Sequence, residues 1–256
     1  AAGSGWHKKI KRGQAVRIMT GAPVPAGADA VVKIELTSST DTELTILEAV
    51  KKGTAIVRKA SEIKKGRIVV KQGSSITANN IATLPAFGYA RVKVGNRPQV
   101  AILGTGKEIV DIGKKPGLDQ IRNSNSVMLK VMAEQCGAVA ETFPIVSDDL
   151  TNLKFQTSNA AKGKDILIIT GGVSVGKSDL TKAALAELGA KIFFEKVQLK
   201  PGKPAVFARL GKTLVFGLPG NPVSAAVTFQ LFVRKAIMQL QNAAVTGLKK
   251  GAAILA

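Results

Sequence analysis

The sequence predicts an α/β protein: a doubly wound, mainly parallel sheet, preceded by a small β-rich domain and a short linking segment. Three observations predict it. Ile166 to Ile169 are four consecutive apolar residues, the pattern of a strand buried on both faces. From Pro98 onward, short apolar runs alternate with longer helical patterns, which implies parallel strands joined by crossover helices. Before Pro98 the apolar runs are short and separated by Gly, Pro and charged turns. The expected division is a β-rich domain over residues 1–64, a linking strand–helix segment over 65–97 and an α/β domain over 98–243. Residues 244–256 read as the truncated start of a C-terminal domain.

In the first segment, Ala15 to Met19, Ala30 to Ile34 and Leu44 to Ile46 are candidate strands. Gly66 to Lys71 reads as a short strand. Thr77 can cap a helix from Ala78 to Phe87 that Gly88 closes. In the α/β segment, Val100 to Leu103 is the first predicted strand. Ser124 caps a helix from Asn125 to Gln135, and Val139 to Val146 is the next strand. Asp148 or Asp149 caps a helix to about Ala161. After the isoleucine strand, Leu180, Ala184, Leu185 and Leu188 mark a helix ended by Gly189. A strand from Lys191 to Val197 follows. Ala205 to Ala208 and Thr213 to Phe216 form a hairpin, and a long helix runs from Val223 to about Gln241.

The chain has 256 residues, with 37 Lys and Arg against 17 Asp and Glu, a net charge of +20. Such a charge attracts anions of every kind. One Trp and one Tyr leave few rings on which a nucleic acid could stack its bases, and the lysines are dispersed. Nucleic acid is therefore not the expected partner. Cys136 is the only cysteine and His7 the only histidine, which excludes internal disulfides, cysteine zinc sites and histidine-rich metal sites. Cys136 lies in a helical stretch and reads as a small core residue. No apolar run reaches membrane-spanning length and no signal peptide is visible, so a reduced, cytoplasmic compartment is expected.

The unusual residues follow successive strands. They are GTGKE (104–108), TGGVSVGKSD (170–179), LKPGKP (199–204) and GLPGNPVS (217–224). In a parallel sheet such loops converge on one edge, where open α/β folds bind ligands. Paired glycines at Gly171 and Gly172 let backbone approach an anionic group without a Cβ in the way. Counted from Gly171, the loop also fits the phosphate-loop spacing at Gly176, Lys177 and Ser178. The same small residues suit a plain tight turn. Lys200 and Lys203 can serve an oxyanion or be solvated. Glu108, Asp148 and Asp179 can hold Mg²⁺, although the two aspartates also suit helix caps. Ser174 and Ser224 add hydroxyls, while Pro219 and Pro222 shape a turn and a helix start.

MTGAPVPAGADAVV (19–32), GTGKE, IRNSNS (121–126), TGGVSVGKSD, LKPGKP and GLPGNPVSAAVTF (217–229) together resemble the molybdopterin molybdenumtransferase family, bacterial MoeA and the gephyrin E domain. The resemblance runs over nearly all of residues 1–243. It implies a MogA-like molybdopterin-binding domain and the insertion of molybdate into adenylylated molybdopterin, with Mg²⁺-dependent hydrolysis and release of AMP. It implies a homodimer without membrane attachment, working beside a MogA-type adenylyltransferase and molybdoenzymes. Glu108, Asp148 and Asp179 match acidic active-site positions, the first two near the metal. Gly171, Gly172 and Ser174 fall in the nucleotide and pterin site. Lys200, Lys203, Pro204 and Ser224 match positions that bind phosphate or molybdate, with Pro219 and Pro222 shaping their loop. Thr20 and Glu62 lie where members contribute across the dimer, Glu62 standing where Asp is common. Lys107, Lys177 and Lys235 depart from the family pattern. Members extend upstream, and downstream into a β-barrel domain, and both extensions are expected to be lacking here. The gephyrin resemblance also admits a non-catalytic cofactor-binding or scaffold protein.

Overall fold

The computed structural model describes residues 5–147, 149–172 and 180–248. Its contacts divide the chain into two units, residues 1–69 and 70–256.

In the first unit, Ile34–Leu36 forms a 3₁₀ turn, and β1 (Thr37–Ser39) pairs antiparallel with β2 (Leu44–Ile46). Ala15 to Met19 and Ala30 to Ile34 lack the ladder partners that strands need. Isolated backbone bonds hold them instead, such as Val31 N–H to the Thr54 carbonyl and Ala22 N–H to the Met19 carbonyl. The β-rich expectation therefore reduces here to one short hairpin among the described residues. Pro25 is the single buried residue described in this unit, while Trp6, Met19, Leu47 and Val57 are exposed.

The second unit opens with α1 (Ala78–Ala86), capped by Thr77 through reciprocal bonds with Asn80. Gly66 to Lys71 forms no strand. The sheet is built from β3 (Gln99–Gly104), β6 (Val139–Thr142), β7 (Ile166–Thr170), β8 (Lys191–Phe194), β9 (Val206–Leu210) and β10 (Thr213–Leu218). Their order is β6-β3-β7-β10-β9-β8. The first four run parallel, and β9 lies antiparallel to both β10 and β8. A small side ladder, β4 (Ile109–Val110) with β5 (Ile121–Arg122), follows β3.

Alternation along the central strands sorts two cores. Val100 and Ile102 of β3 and Ile166 and Ile168 of β7 pack with Leu129 and Ala133 of α2 (Ser124–Gln135) and with Phe229, Val233 and Ile237. Ala101, Leu103, Leu167 and Ile169 pack on the other face. Their partners are Leu153 and Ala160 of α3 (Leu150–Ala161) and Ala184 and Leu185 of α4 (Leu180–Glu187). Helices on both faces explain why the isoleucine run has no polar side.

Local chemistry sets the ends. Asp149 accepts from Asn152 N–H to cap α3, and Asn123 caps α2 one residue earlier than expected. The long C-terminal helix is interrupted. α5 (Pro222–Thr228) passes through a π turn at Phe229–Val233 into α6 (Arg234–Leu240), and Arg234 N–H reaches the Phe229 carbonyl. A π turn inserts one residue into the helical repeat, so the apolar positions rotate in a way that 3.6-residue periodicity does not announce. Burial pushes the Cys136 thiol up, against a smaller opposing effect from Arg234. The thiol therefore stays protonated at neutral pH, as a packing residue would. Among the described residues no helix is long and apolar enough to cross a membrane.

Ile168 lies at the centre of the sheet with no exposure. Ile168→Ala is expected to lower stability by about 2–5 kcal/mol, read as a shifted midpoint in a denaturant titration with unchanged slope.

Candidate functional site

Parallel pairing of β3, β7 and β10 brings their carboxyl ends side by side: Gly104 is level with Thr170, and Thr170 with Leu218. The loops that leave these ends are held together by backbone. Thr105 N–H donates to the Thr170 carbonyl at 2.9 Å, and Gly171 N–H donates to the Leu218 carbonyl at 3.2 Å. Gly106 N–H donates to the Val146 carbonyl at 3.3 Å, tying in the loop after β6.

This approach depends on missing side chains. Gly171 has φ +94° and Gly172 φ +62°, both left-handed. A Cβ on Gly171 would collide with the Thr105 carbonyl oxygen. A Cβ on Gly172 would lie 2.8 Å from Thr105 Oγ1 and 2.9 Å from Thr181 Oγ1. One on Gly220 would meet the Gly171 Cα at 3.7 Å, ordinary contact. The glycines thus serve close packing first. The Gly171 N–H is spent on Leu218, so it does not provide the anion donor that the sequence suggests.

A side-chain clamp ties the same loops. Asn125 Nδ2 donates to Thr170 Oγ1 at 3.0 Å and to the Gly220 carbonyl at 2.8 Å. Thr170 Oγ1 donates to the Pro219 carbonyl at 3.3 Å. Pro219 is buried, and its role is this turn. Pro222 takes the first turn of α5 without wasting an N–H, while Asn221 Oδ1 accepts from Val223 and Ser224 N–H at 3.1 and 3.2 Å. The Ser224 hydroxyl also turns to Asn221 Oδ1 at 3.4 Å, so it belongs to the cap.

Around these loop ends, Thr105 Oγ1, Asn125 Oδ1, Ser126 Oγ and Thr181 Oγ1 are shielded from solvent and have no hydrogen-bond partner among the described residues. Ser126 Oγ lies under Gly104, 3.2 Å from where a Cβ would stand. Buried polar groups are nearly always paired, and leaving one unpaired costs about 1–3 kcal/mol.

Glu108 is exposed, and its carboxylate folds back over Gly106. Lys200 and Lys203 are exposed on the loop after β8, with Pro204 half-buried. Val197 N–H donates to the Lys203 carbonyl at 3.0 Å and closes this loop. Gly202 seats it against Thr228 of α5, leaving only 2.8 Å between a Cβ there and the threonine methyl. The loop therefore packs on the helix whose first turn carries residues 222–224. Thr20 and Glu62 are exposed in the first unit. Asp148, Ser174 and Asp179, expected at the site, lie outside the described residues, as do Gly176, Lys177 and Ser178. Sequence reasoning missed Thr105, Asn125, Ser126, Thr170 and Thr181 as site residues. The motif IRNSNS was a signal for two of them, but unpaired burial appears only once the loops are brought together.

Gly171→Ala is expected to cost more than about 2 kcal/mol, because strain at positive φ adds to a backbone collision. Calorimetric melting should show a clear fall in Tm. Gly163→Ala, also at positive φ but in open space, should cost less.

Residues 101–239 match the family model for the probable molybdopterin binding domain, and residues 1–88 match the MoeA N-terminal region (domain I and II). Molybdopterin molybdenumtransferases of Staphylococcus epidermidis and Staphylococcus aureus are 38% identical to this chain over 242 residues. Each match covers 94% of this chain and 58% of the relative, so the chain spans less than two thirds of the relatives' length. Crystal structures of the molybdopterin biosynthesis MoeA protein of Pyrococcus horikoshii superpose with TM-scores of 0.78 and 0.74, at 32% and 28% identity. They cover 94% and 95% of this chain, and 60% and 59% of theirs. With residues 101–239 of its 256 inside one family model, the chain belongs to the family of the probable molybdopterin binding domain, preceded in sequence by a MoeA N-terminal region.

Proposed function

We propose that the chain carries the pterin-nucleotide site of a molybdenum insertase, which inserts molybdate into adenylylated molybdopterin with Mg²⁺-dependent hydrolysis and release of AMP. The observation that carries this reading is the junction of three strand ends, around which buried polar atoms have no hydrogen-bond partner among the described residues. The names of the relatives, molybdopterin molybdenumtransferase, support the substrate class.

Gly171 and Gly172 let the turn after β7 pack against the loop after β3, and so set the wall of the nucleotide and pterin site. Lys200 and Lys203 hold phosphate or molybdate oxygens, and Pro204, Pro219, Pro222 and Ser224 fix the loops on either side. The net charge of +20 favours capture of a multiply anionic substrate. Among the described residues no group of three or more His, Cys, Asp or Glu could hold a metal alone. Mg²⁺ commonly binds through one or two carboxylates and completes its shell with substrate phosphates and water. The single exposed Glu108 fits that mode, with Asp148 as the second carboxylate. The ion would supply charge neutralisation at the phosphoanhydride. Asp179 orients the water that attacks phosphorus. The anhydride P–O bond breaks, and AMP leaves as the pterin phosphate is freed.

The working form is a homodimer in the cytoplasm, in which Thr20 and Glu62 serve the partner's site. The exposed apolar side chains of the first unit support a further covering surface. A MogA-type adenylyltransferase would supply the substrate, and molybdoenzymes would take the product.

The test mixes the protein with adenylylated molybdopterin, molybdate and Mg²⁺ and measures AMP. Molybdate-dependent release is expected, and Asp179→Ala should abolish it while binding persists. Tight binding without release in the wild type would contradict the insertase and favour the scaffold of gephyrin type.

A further inference from the structure

Helices cover the two faces of the large sheet unequally. On the face of Leu167 and Ile169, the packing extends to Val206 and Ala208 of β9 and to Ile192 of β8. On the opposite face, α2 and the rod of α5, π turn and α6 cover β6, β3, β7 and β10. Among the described residues no further helix lies over β9 and β8 on that side. A groove of about 440 Å³ runs there between the sheet and α6, lined by Phe194, Phe207, Phe216, Leu231, Phe232 and Lys235. None of these residues belongs to the loops of the candidate site.

The floor of the groove is aromatic. Phe207 stacks on both Phe193 and Phe216, with ring centres 5.1 and 4.9 Å apart, and Phe194 reaches Phe207 and Phe232 at 5.7 and 5.6 Å. A bulge between Ile192 and Phe194 breaks the alternation of β8, so two consecutive rings meet Phe207. Phe193, Leu231 and Leu240 stay exposed. The charges bordering these rings are positive. Arg209 shares its face of β9 with Phe207, and its direct cross-strand partner is Lys191. Lys191 Nζ lies 5.4 Å from the centre of the Phe193 ring, and Lys235 joins from α6. Like charges placed opposite one another repel, and none of the three has an ion pair among the described residues. Glu195, the acid that follows β8, is held by Lys182 of α4 at 2.7 Å.

We propose that this β8–β9 face is a docking site for an amphipathic helix of a partner protein. Its apolar stripe would lie against the phenylalanines, and its acidic flanks beside Lys191, Arg209 and Lys235. Two strands about 4.8 Å apart offer a strip about as wide as one helix, and α6 forms its wall. Apolar anchors at i, i+3, i+4 and i+7 suit such a groove. An added strand does not suit this edge, because β8 has four residues and a bulge. A second copy does not suit the charge: the chain carries +20, and none of α1 to α6 has more than one acidic residue.

The test uses labelled helical peptides of equal length and reads their binding to the whole chain by fluorescence anisotropy. One has a leucine stripe flanked by Glu, one the same stripe flanked by Lys, and one the Glu peptide's composition scrambled to break the stripe. The Glu-flanked peptide is expected to bind tighter than either control by on the order of tenfold or more. Lys191→Glu with Arg209→Glu, both at exposed positions, should reverse the preference between Glu and Lys flanks. Equal binding of the scrambled peptide would overturn the proposal, leaving only attraction to net charge. A preference unmoved by the double charge reversal would overturn it too, because the peptide would then lie elsewhere, and so would failure of the Glu-flanked peptide to bind. Dimers in sedimentation velocity that dissociate in Phe193→Glu would make a second copy the occupant, again overturning it.

Discussion

Three strand ends meet with almost no side chain between them, and the second unit is arranged around that contact. β3, β7 and β10 lie side by side, and their loops cross at Thr105, Gly171 and Gly220. Gly171 allows this approach at positive φ, where a Cβ would collide with the Thr105 carbonyl oxygen. The cost is the larger conformational entropy that a glycine loses on folding. Asn125 and Thr170 offset part of it by bonding the loops to each other. Several buried hydroxyls and one amide oxygen around these ends have no hydrogen-bond partner among the described residues.

The surrounding elements serve that contact in different ways. The isoleucine strand makes a rigid floor because both of its faces are buried. The Asn221 cap pulls the start of α5 tight beneath the turn after β10, and Gly202 lets the lysine loop sit on the same helix. Lys200 and Lys203 therefore stand on a braced loop but keep their amines in water. Exposed cations of this kind steer and neutralise anions.

Much of this was legible in the residues. Four apolar residues followed by two glycines announced a central strand and a tight glycine turn at its carboxyl end. The order of the glycine- and proline-rich loops announced that they would share one edge. The legible features are those that local rules dictate. Ala15 to Met19 and Ala30 to Ile34 were read as strands because apolar runs between turns look alike whether or not a partner strand exists, and pairing is a tertiary fact. The π turn at Phe229–Val233 was illegible because it keeps an apolar helix apolar while changing its phase. Thr181 gave no signal, and Thr105 lay inside the quoted GTGKE motif without being singled out, since the burial of a threonine hydroxyl shows only once the loops are packed. Asn125 sat inside a quoted motif, yet its fixed orientation depends on Gly220, 95 residues later.

The central claim is that a pterin nucleotide occupies the junction of β3, β7 and β10. Hydrogen–deuterium exchange with and without adenylylated molybdopterin tests it most directly. The account predicts slowed exchange at residues 104–106, 123–126, 170–172 and 218–224, with the outer strands β6 and β8 unchanged. Tight binding that leaves those four segments unprotected, and protects some other surface instead, would contradict it.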